Sequence, residues 1–399
     1  MSRKNVAMEE PQCKVLDLPS AEALRRSILH IKKPVVIKKS VESWPILKWS
    51  LVDWKTALGD VKLPFRTGSS DCTQVPQWEG SCKMLNYSVE EFLSITENQG
   101  KQDWLYFDYK YMHEWFKNHP TILESVSWAR LGFTELKGID STMWLGSKGA
   151  HTPCHKDSYG LNLVAQLYGK KAWILFSPDD DDSLQPTRIP YEESSIFSKI
   201  NFFCRKSLRG FKKAYFVILN PGDVLVVPNG WWHYVENIET SISINTWVPL
   251  EIDDEKRVEE CLVRTFIGSL LENLDDNERR FLLNPNEVEQ FRSFDASNTD
   301  MLNLCVKNVN KRKSDTDSNE KEALQLQRQF FESPLIKFVE NCDVTNISEQ
   351  LQCTCNDYNS SCVTQESSYQ EIDFEKVVNA FCHPEVIAKV REKLLVNSL

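Results

Sequence analysis

The sequence predicts a mainly β core flanked by helices, and three features predict it. From Leu161 to Phe176 run two apolar, β-rich segments split by a Gly169-Lys170 turn, and Pro221-Gly222-Asp223 is a turn opening onto a short apolar strand up to Pro228. Helical periodicity lies on both sides. Leu24, Ile28 and Ile31 recur on one face before the core, and Val258, Cys261, Leu262, Thr265, Phe266, Leu270 and Leu271 do so after it.

In chain order, Ser20 is placed to cap a helix over Ala21 to Ile31, and Lys33 to Ile37 reads as a strand. Ser50 opens a second helix, and Ser88 with Glu91 has the spacing of a capping box. This alternation alone says mixed α/β. The aromatic residues crowded between Trp104 and Trp128 read as core, because each ring offers a large area to bury. Thr142 to Gly146 is an expected strand, and Thr152-Pro153 is expected to turn into the next one, which carries His155 and Asp157.

Alternate side chains of a strand share a face, so His155 and Asp157 can enter one cavity while Lys156 points away. His233, in Trp231-Trp232-His233-Tyr234, is the natural third partner. Two histidines and one carboxylate form the facial set that leaves neighbouring positions on Fe(II) open; the plain alternative is a hydrogen-bonded His-Asp pair. The same alternation puts Lys171 on one face with Trp173 and Leu175 and turns Lys170 to solvent. Asn162 and Asn245 interrupt apolar strands, and buried amides need partners. Asp179 to Asp182 reads as a solvated acidic turn rather than a second cation site. The stretch Pro186 to Ser198, with Arg188, Tyr191, Glu192 and Phe197, is expected either to rim the mouth of the site or to cover the edge of the core.

The series His155-x-Asp157, Gly169-x-Lys171, Pro221-Gly222-Asp223, Trp231-Trp232-His233 and Ser243-Ile244-Asn245-Thr246-Trp247 resembles the JmjC branch of the iron and 2-oxoglutarate oxygenases. That resemblance implies a double-stranded β-helix of cupin type, with Fe(II) held by His155, Asp157 and His233. It implies 2-oxoglutarate as co-substrate, its far carboxylate held by Lys171 with the hydroxyls of Thr152 and Tyr106. It places Asn162 and Asn245 beside the metal and the 2-oxo acid. Between Asp157 and Asn162 the chain has one residue more than the small JmjC asparaginyl hydroxylases, which a bulge at Gly160 is expected to absorb. The match is dense from Trp104 to Leu250. There, His151-Thr152-Pro153-Cys154-His155, Pro186 to Ser195 and Trp231 to Glu236 resemble the family branch associated with a small heat-shock (stress) protein, which implies such a partner.

With 47 basic and 57 acidic residues in 399, the chain has no general affinity for nucleic acid or anionic membrane to be expected. Met1 to Leu18 lacks an apolar stretch of signal-peptide length, so a soluble, cytoplasmic protein with reduced thiols is expected despite twelve cysteines. Cys353, Cys355, Cys362 and Cys382-His383 lack paired Cys-x-x-Cys knuckles, which argues against structural zinc. The expected organisation is an α/β part over residues 1–103, the JmjC core over 104–250, C-terminal helices over 251–306 and a partly disordered tail over 307–399. In the tail, Lys307 to Glu322 and Ser348 to Tyr369 read as mobile, Leu324 to Phe338 as a short helix, and Phe374 to Leu395 as an amphipathic pair broken at Cys382-His383-Pro384. That pair serves either as a partner's docking site or as a capping hairpin, and the C-terminal helices as a brace or a homodimer contact. Two functions follow as expectations: a dioxygenase acting on a protein side chain by hydroxylation rather than demethylation, or a cupin-fold adaptor that binds a small heat-shock protein with weak or no catalysis.

Overall fold

The computed structural model describes residues 18–73, 75–97, 103–271, 274–285, 287, 297–312, 330–348 and 374–396. The strands are β1 Val35–Ile37, β2 Leu63–Gly68, β3 Lys83–Tyr87, β4 Trp104–Tyr111, β5 Thr142–Gly146, β6 His151–Asp157, β7 Leu161–Tyr168 and β8 Lys171–Phe176. They continue with β9 Pro186–Glu192, β10 Ser195–Ser198, β11 Lys213–Leu219, β12 Val224–Val227, β13 Trp232–Asn237, β14 Ser241–Val248, β15 Ile336–Phe338 and β16 Glu340–Asp343. They form a nine-stranded sheet, β15-β1-β12-β7-β14-β5-β4-β2-β3, and a seven-stranded one, β16-β11-β8-β13-β6-β10-β9. The fold is the double-stranded β-helix expected, mainly β with flanking helices.

Side-chain alternation sorts the core into layers. On β12, Leu225 and Val227 pack inward with Trp173, Leu175 and Val235 of the facing sheet. Val224 and Val226 face out and join Leu163 and Ala165 of β7 under the N-terminal helices, against Leu24, Ile28 and Trp54. Ala172, Ile174 and Phe176 of β8 pack on the opposite outer face with Phe202, Phe203 and Tyr234.

The N-terminal caps form as the sequence indicates. Ser20 accepts from the Ala23 amide on the helix Ala21–Leu29, Ser50 and Asp53 close a capping box on Leu51–Leu58, and Ser88 and Glu91 close another on Val89–Glu97. The helix Asp253–Leu271 buries Val258, Cys261 and Leu271 of the expected stripe, while Val263 and Ile267, which lay outside it, join Leu271 in packing with Ile189 and Tyr191 of β9 and with Val378. Among the described residues no helix is long and apolar enough to cross a membrane.

Several expectations are corrected. Thr152 and Pro153 lie inside β6 rather than in a turn before it. Gly160 is not a strand bulge: β6 ends at Asp157, β7 begins at Leu161, and Gly160, at φ 78°, belongs to the turn, its N–H donating to Asp253 Oδ1 at 2.9 Å. The extra residue thus falls in the connection between β6 and β7. Cys72 and Cys204 form a disulfide, against the expectation of reduced thiols. Ile336–Phe338 is not helical but pairs with β1, and Glu340–Asp343 pairs with β11, so the far end of the chain supplies an edge strand to each sheet. The polar stretch from Lys307 begins inside a helix, Ser297–Arg312. The helices Phe374–Phe381 and Pro384–Val396 break where expected, and Arg391 ties the second to Glu255 and Glu259 of the long helix, the arrangement of a capping hairpin. Cys353, Cys355 and Cys362 lie outside the described residues, as does most of Ser348 to Tyr369.

Candidate metal centre

β6 and β13 are antiparallel neighbours, and their register sets His155 directly opposite His233. The two imidazole centroids are 4.2 Å apart. Asp157, two residues along β6, brings Oδ1 to 3.8 Å from His155 Nε2, and one ligand atom from each of His155, Asp157 and His233 lies within 4.8 Å of the others. The Nδ1 atoms are held by backbone: His155 Nδ1 lies 2.9 Å from Pro153 O and His233 Nδ1 3.0 Å from Trp231 O. A carbonyl only accepts, so each Nδ1 carries a proton and Nε2 is the ring nitrogen available to a metal. Burial and the neighbouring His233 hold His155 down at about 4, with Asp157 and the Pro153 carbonyl opposing, so the ring is neutral near pH 7.

The carboxylate is oriented just as firmly. Trp247 Nε1 donates to Asp157 Oδ2 at 3.0 Å and Asn162 Nδ2 approaches the same oxygen at 3.5 Å, leaving Oδ1 toward the histidines. Asn162 Oδ1 in turn accepts from Asn245 Nδ2 at 2.9 Å, and Asn245 Oδ1 accepts from Trp144 Nε1 at 2.8 Å. The two asparagines thus form one chain of donors ending on Asp157. Two imidazoles and one directed carboxylate oxygen, all converging, fit a divalent transition metal of the iron type with open positions.

Farther along the same cavity Lys171 is 1% exposed. Its ammonium donates to Ser243 Oγ at 2.7 Å and Tyr106 Oη at 3.2 Å, and among the described residues it forms no ion pair. Burial pulls Lys171 down to about 7, with the charge of Asp108 acting against. Tyr106 also bonds to Thr152, and burial raises its phenol well above the usual value. A buried ammonium among neutral hydroxyls lacks the anion that would offset its desolvation, and a ligand carboxylate fits that need. Gly146 stands opposite Tyr106 in the register of β4 and β5, where a Cβ would come within 2.7 Å of the tyrosine ring.

The structure therefore brings His155, Asp157, His233, Tyr106, Thr152, Asn162, Lys171 and Asn245 around one cavity of about 310 Å³. Lys170 turns outward to Glu239, and Lys156 turns away to Asp181, 2.6 Å off. Asp181, expected to be merely solvated, thereby anchors the outer face of the metal-bearing strand and accepts from Trp232 Nε1 as well. Of the expected rim residues, Glu192 and Phe197 do line the cavity. Arg188 instead forms a buried bidentate pair with Glu260, at 2.9 and 2.7 Å, and Tyr191 packs under the C-terminal helices. Tyr109 and Tyr111, expected in the core, line the cavity too.

Sequence reasoning assigned no role to Ser243 or Trp247, both of which touch site residues. Their signal was present: Ser243, Asn245 and Trp247 alternate along β14 and so share a face. Trp144, which reaches Asn245 from the neighbouring β5, has no such local sign.

A two-sheet β-helix with two histidines and a carboxylate converging on one adjacent strand pair is the architecture of the cupin-like proteins. The chain belongs to the cupin-like family, in its JmjC branch: the family described as "Cupin-like domain" matches residues 20–253. It is 36% identical over 360 residues to the HSPB1-associated protein 1 homolog of Danio rerio, covering 84% of this chain and 79% of that one. It is 40% identical over 301 residues to HSPB1-associated protein 1 of Homo sapiens, covering 71% of this chain and 61% of that one, so it spans less than two thirds of the human relative. Lysine-specific demethylase 8 of Danio rerio is 28% identical over 237 residues, covering 57% of this chain and 56% of its own length.

Proposed function

We propose that this chain is an Fe(II)- and 2-oxoglutarate-dependent dioxygenase that hydroxylates a protein side chain and works with a small heat-shock protein. The observation that carries the reading is the pairing, in one cavity, of a directed His155-Asp157-His233 set with a buried Lys171 that forms no ion pair among the described residues. Metal and 2-oxoglutarate, when bound, supply oxidative decarboxylation to succinate and carbon dioxide, which activates dioxygen. The chain's residues bind and aim. His155 and His233 offer Nε2, and Asp157 offers Oδ1 while Trp247 and Asn162 hold its other oxygen. Lys171, Ser243, Tyr106 and Thr152 present a cation and hydroxyls to the far carboxylate. Asn245 holds Asn162, and Asn162 in turn helps fix the angle of Asp157. The aromatic walls, Tyr109, Trp144 and Trp247 among them, keep water from this chemistry.

The partner follows from the relatives at 36–40% identity, which are named for association with HSPB1, a small heat-shock protein. Those names describe an association and not a reaction, and this favours a second reading, a cupin-fold adaptor. Succinate formation in air separates the two. Wild-type protein with Fe(II) and 2-oxoglutarate is expected to form succinate above a protein-free control, and Asp157→Ala and Lys171→Ala each to lose about tenfold or more of that rate. No succinate from well-folded wild type, and no bound 2-oxoglutarate, would leave the adaptor as the account.

A further inference from the structure

The one disulfide among the described residues joins two segments that build one side of the metal cavity. Cys72 lies in the connection from β2 to β3, residues 69–82, and Cys204 is the N-cap of a short helix, Arg205–Leu208, that follows β10. Their Cα atoms are 5.3 Å apart, within the ordinary range for a bridge. The β2–β3 connection carries Trp78 into the cavity wall. β10 carries Phe197, which is paired with His155 in the register and lies 5.9 Å from its ring. Trp78 and Phe197 meet edge-on at 5.4 Å. One covalent bond thus ties together two segments whose aromatic side chains meet beside a metal ligand.

The two ends of the bridge are held differently. Phe202 and Phe203, just before Cys204, are buried with Phe176 and Tyr234, Phe203 stacks on His151 at 4.3 Å, and Cys204 itself is 4% exposed. Cys72 is half-buried, between exposed Asp71 and half-buried Thr73. Ser69 and Gln77 close the connection on itself with bonds of 2.8 and 2.9 Å. From the anchored side Asn201 Nδ2 reaches it, donating to Thr73 O at 2.8 Å, Thr73 Oγ1 at 3.0 Å and Val75 O at 3.2 Å. Six other described cysteines are free, and Cys261 and Cys305 stay unbridged with their sulfurs 3.8 Å apart. The chain is therefore not built as a disulfide scaffold. Its described bridge sits where one sulfur is within reach of solvent and a wall of the site hangs on it.

We propose that Cys72–Cys204 is a redox-responsive clasp on the metal cavity, opened and closed by exchange with a small thiol of the glutathione class. In opening, a glutathione thiolate attacks Cys72 Sγ, the reachable sulfur; the bond to Cys204 breaks, and Cys204 leaves as a thiolate and takes up a proton. A second glutathione attacks the mixed disulfide and releases oxidised glutathione and the Cys72 thiol. Two electrons and two protons pass in all from two glutathione molecules to the protein, and oxidised glutathione reverses both steps. Closed, the bridge holds Trp78 against Phe197 beside His155. Open, the β2–β3 connection rests on noncovalent contacts alone, which local opening breaks more readily. The inference goes beyond the oxygenase reading and does not rest on it.

The test equilibrates the full chain, without metal or 2-oxoglutarate, in anaerobic buffers running from mostly reduced to mostly oxidised glutathione. Samples are alkylated and read by peptide mass spectrometry, and amide hydrogen exchange is followed at both ends of the series. Cys72 and Cys204 are expected to convert together, as one two-electron couple, at ratios where the protein still unfolds cooperatively. Amides of residues 69–82 are expected to exchange about tenfold or more faster in the reduced form, with those of β7 unchanged. Cys72→Ser and Cys204→Ser are each expected to show the fast exchange at every ratio. A bridge that survives excess reduced glutathione until the protein unfolds is a structural staple and overturns the proposal. Failure of the bridge to form in folded protein under oxidised glutathione overturns it too, as does equal exchange of residues 69–82 in the two forms. The wild-type series decides the matter without either variant, and because no metal or co-substrate is present its outcome is separate from that of the oxygenase reading.

Discussion

Asp157 has two oxygens in different surroundings, and that difference is what makes it useful. Trp247 and Asn162 engage Oδ2, so the electron pairs of Oδ1 are aimed at the histidines. Trp247→Phe keeps the ring and removes the donor; Mn(II) affinity is expected to fall about 10- to 100-fold, read by metal titration. Lys171 makes a pH-dependent prediction. In the empty cavity burial holds it at about 7, and a bound carboxylate raises it. Below pH 7 the ammonium is already present and affinity for 2-oxoglutarate is full. Above it, binding must first take up a proton, so affinity is expected to fall by up to about tenfold per pH unit until the raised value is reached. Calorimetry in buffers of different ionisation enthalpy reads that proton uptake at pH 8, and Lys171→Met is expected to remove it. At this scale the sequence was most legible, because one strand period aligned His155 with Asp157 and another aligned Lys171 with Trp173. Trp144 was not legible as the partner of Asn245, since 101 positions separate them and only the folded chain joins them.

The elements show where local signals end. Caps at Ser20, Ser50 and Ser88 were readable because a cap is a contact within a few residues. β15 and β16 were not: Ile336-Lys337-Phe338 and Glu340-Asn341-Cys342-Asp343 are too short to distinguish a strand from a helix by periodicity. They become strands through pairing with β1 and β11, which lie far back in the chain. Ile336 is 5% exposed in the main core, and Ile336→Ala is expected to cost about 2–5 kcal/mol in chemical denaturation. Arg188 was left open between rimming the site and covering the core edge because nothing nearby announces its partner, Glu260, 72 residues on. The pair fastens β9, and with it Glu192, to the Asp253–Leu271 helix. Arg188→Ala strands a buried carboxylate and is expected to destabilise by about 3–5 kcal/mol, with the double change Arg188→Leu, Glu260→Leu recovering much of the loss in the same denaturation assay.

In the whole molecule the two sheets divide the labour. The seven-stranded sheet contributes the metal set and Lys171 from β6, β8 and β13. The nine-stranded sheet contributes Tyr106, Asn162, Ser243, Asn245 and Trp247 from β4, β7 and β14. Neither sheet holds the site alone, so the order of motifs along the chain carried the fold while the reach between sheets needed the structure. Both sheets close with strands from the far end of the chain, making the site's framework dependent on residues more than 80 positions beyond β14. The central claim, that the His155-Asp157-His233 set and Lys171 form one metal and 2-oxo acid site, is tested most directly by anaerobic calorimetry of 2-oxoglutarate against Mn(II)-loaded protein. The account predicts one binding event per chain that requires Mn(II), is lost in His233→Ala and is weakened about 100-fold or more in Lys171→Met. Binding that persists unchanged without metal, or in Lys171→Met, would contradict it.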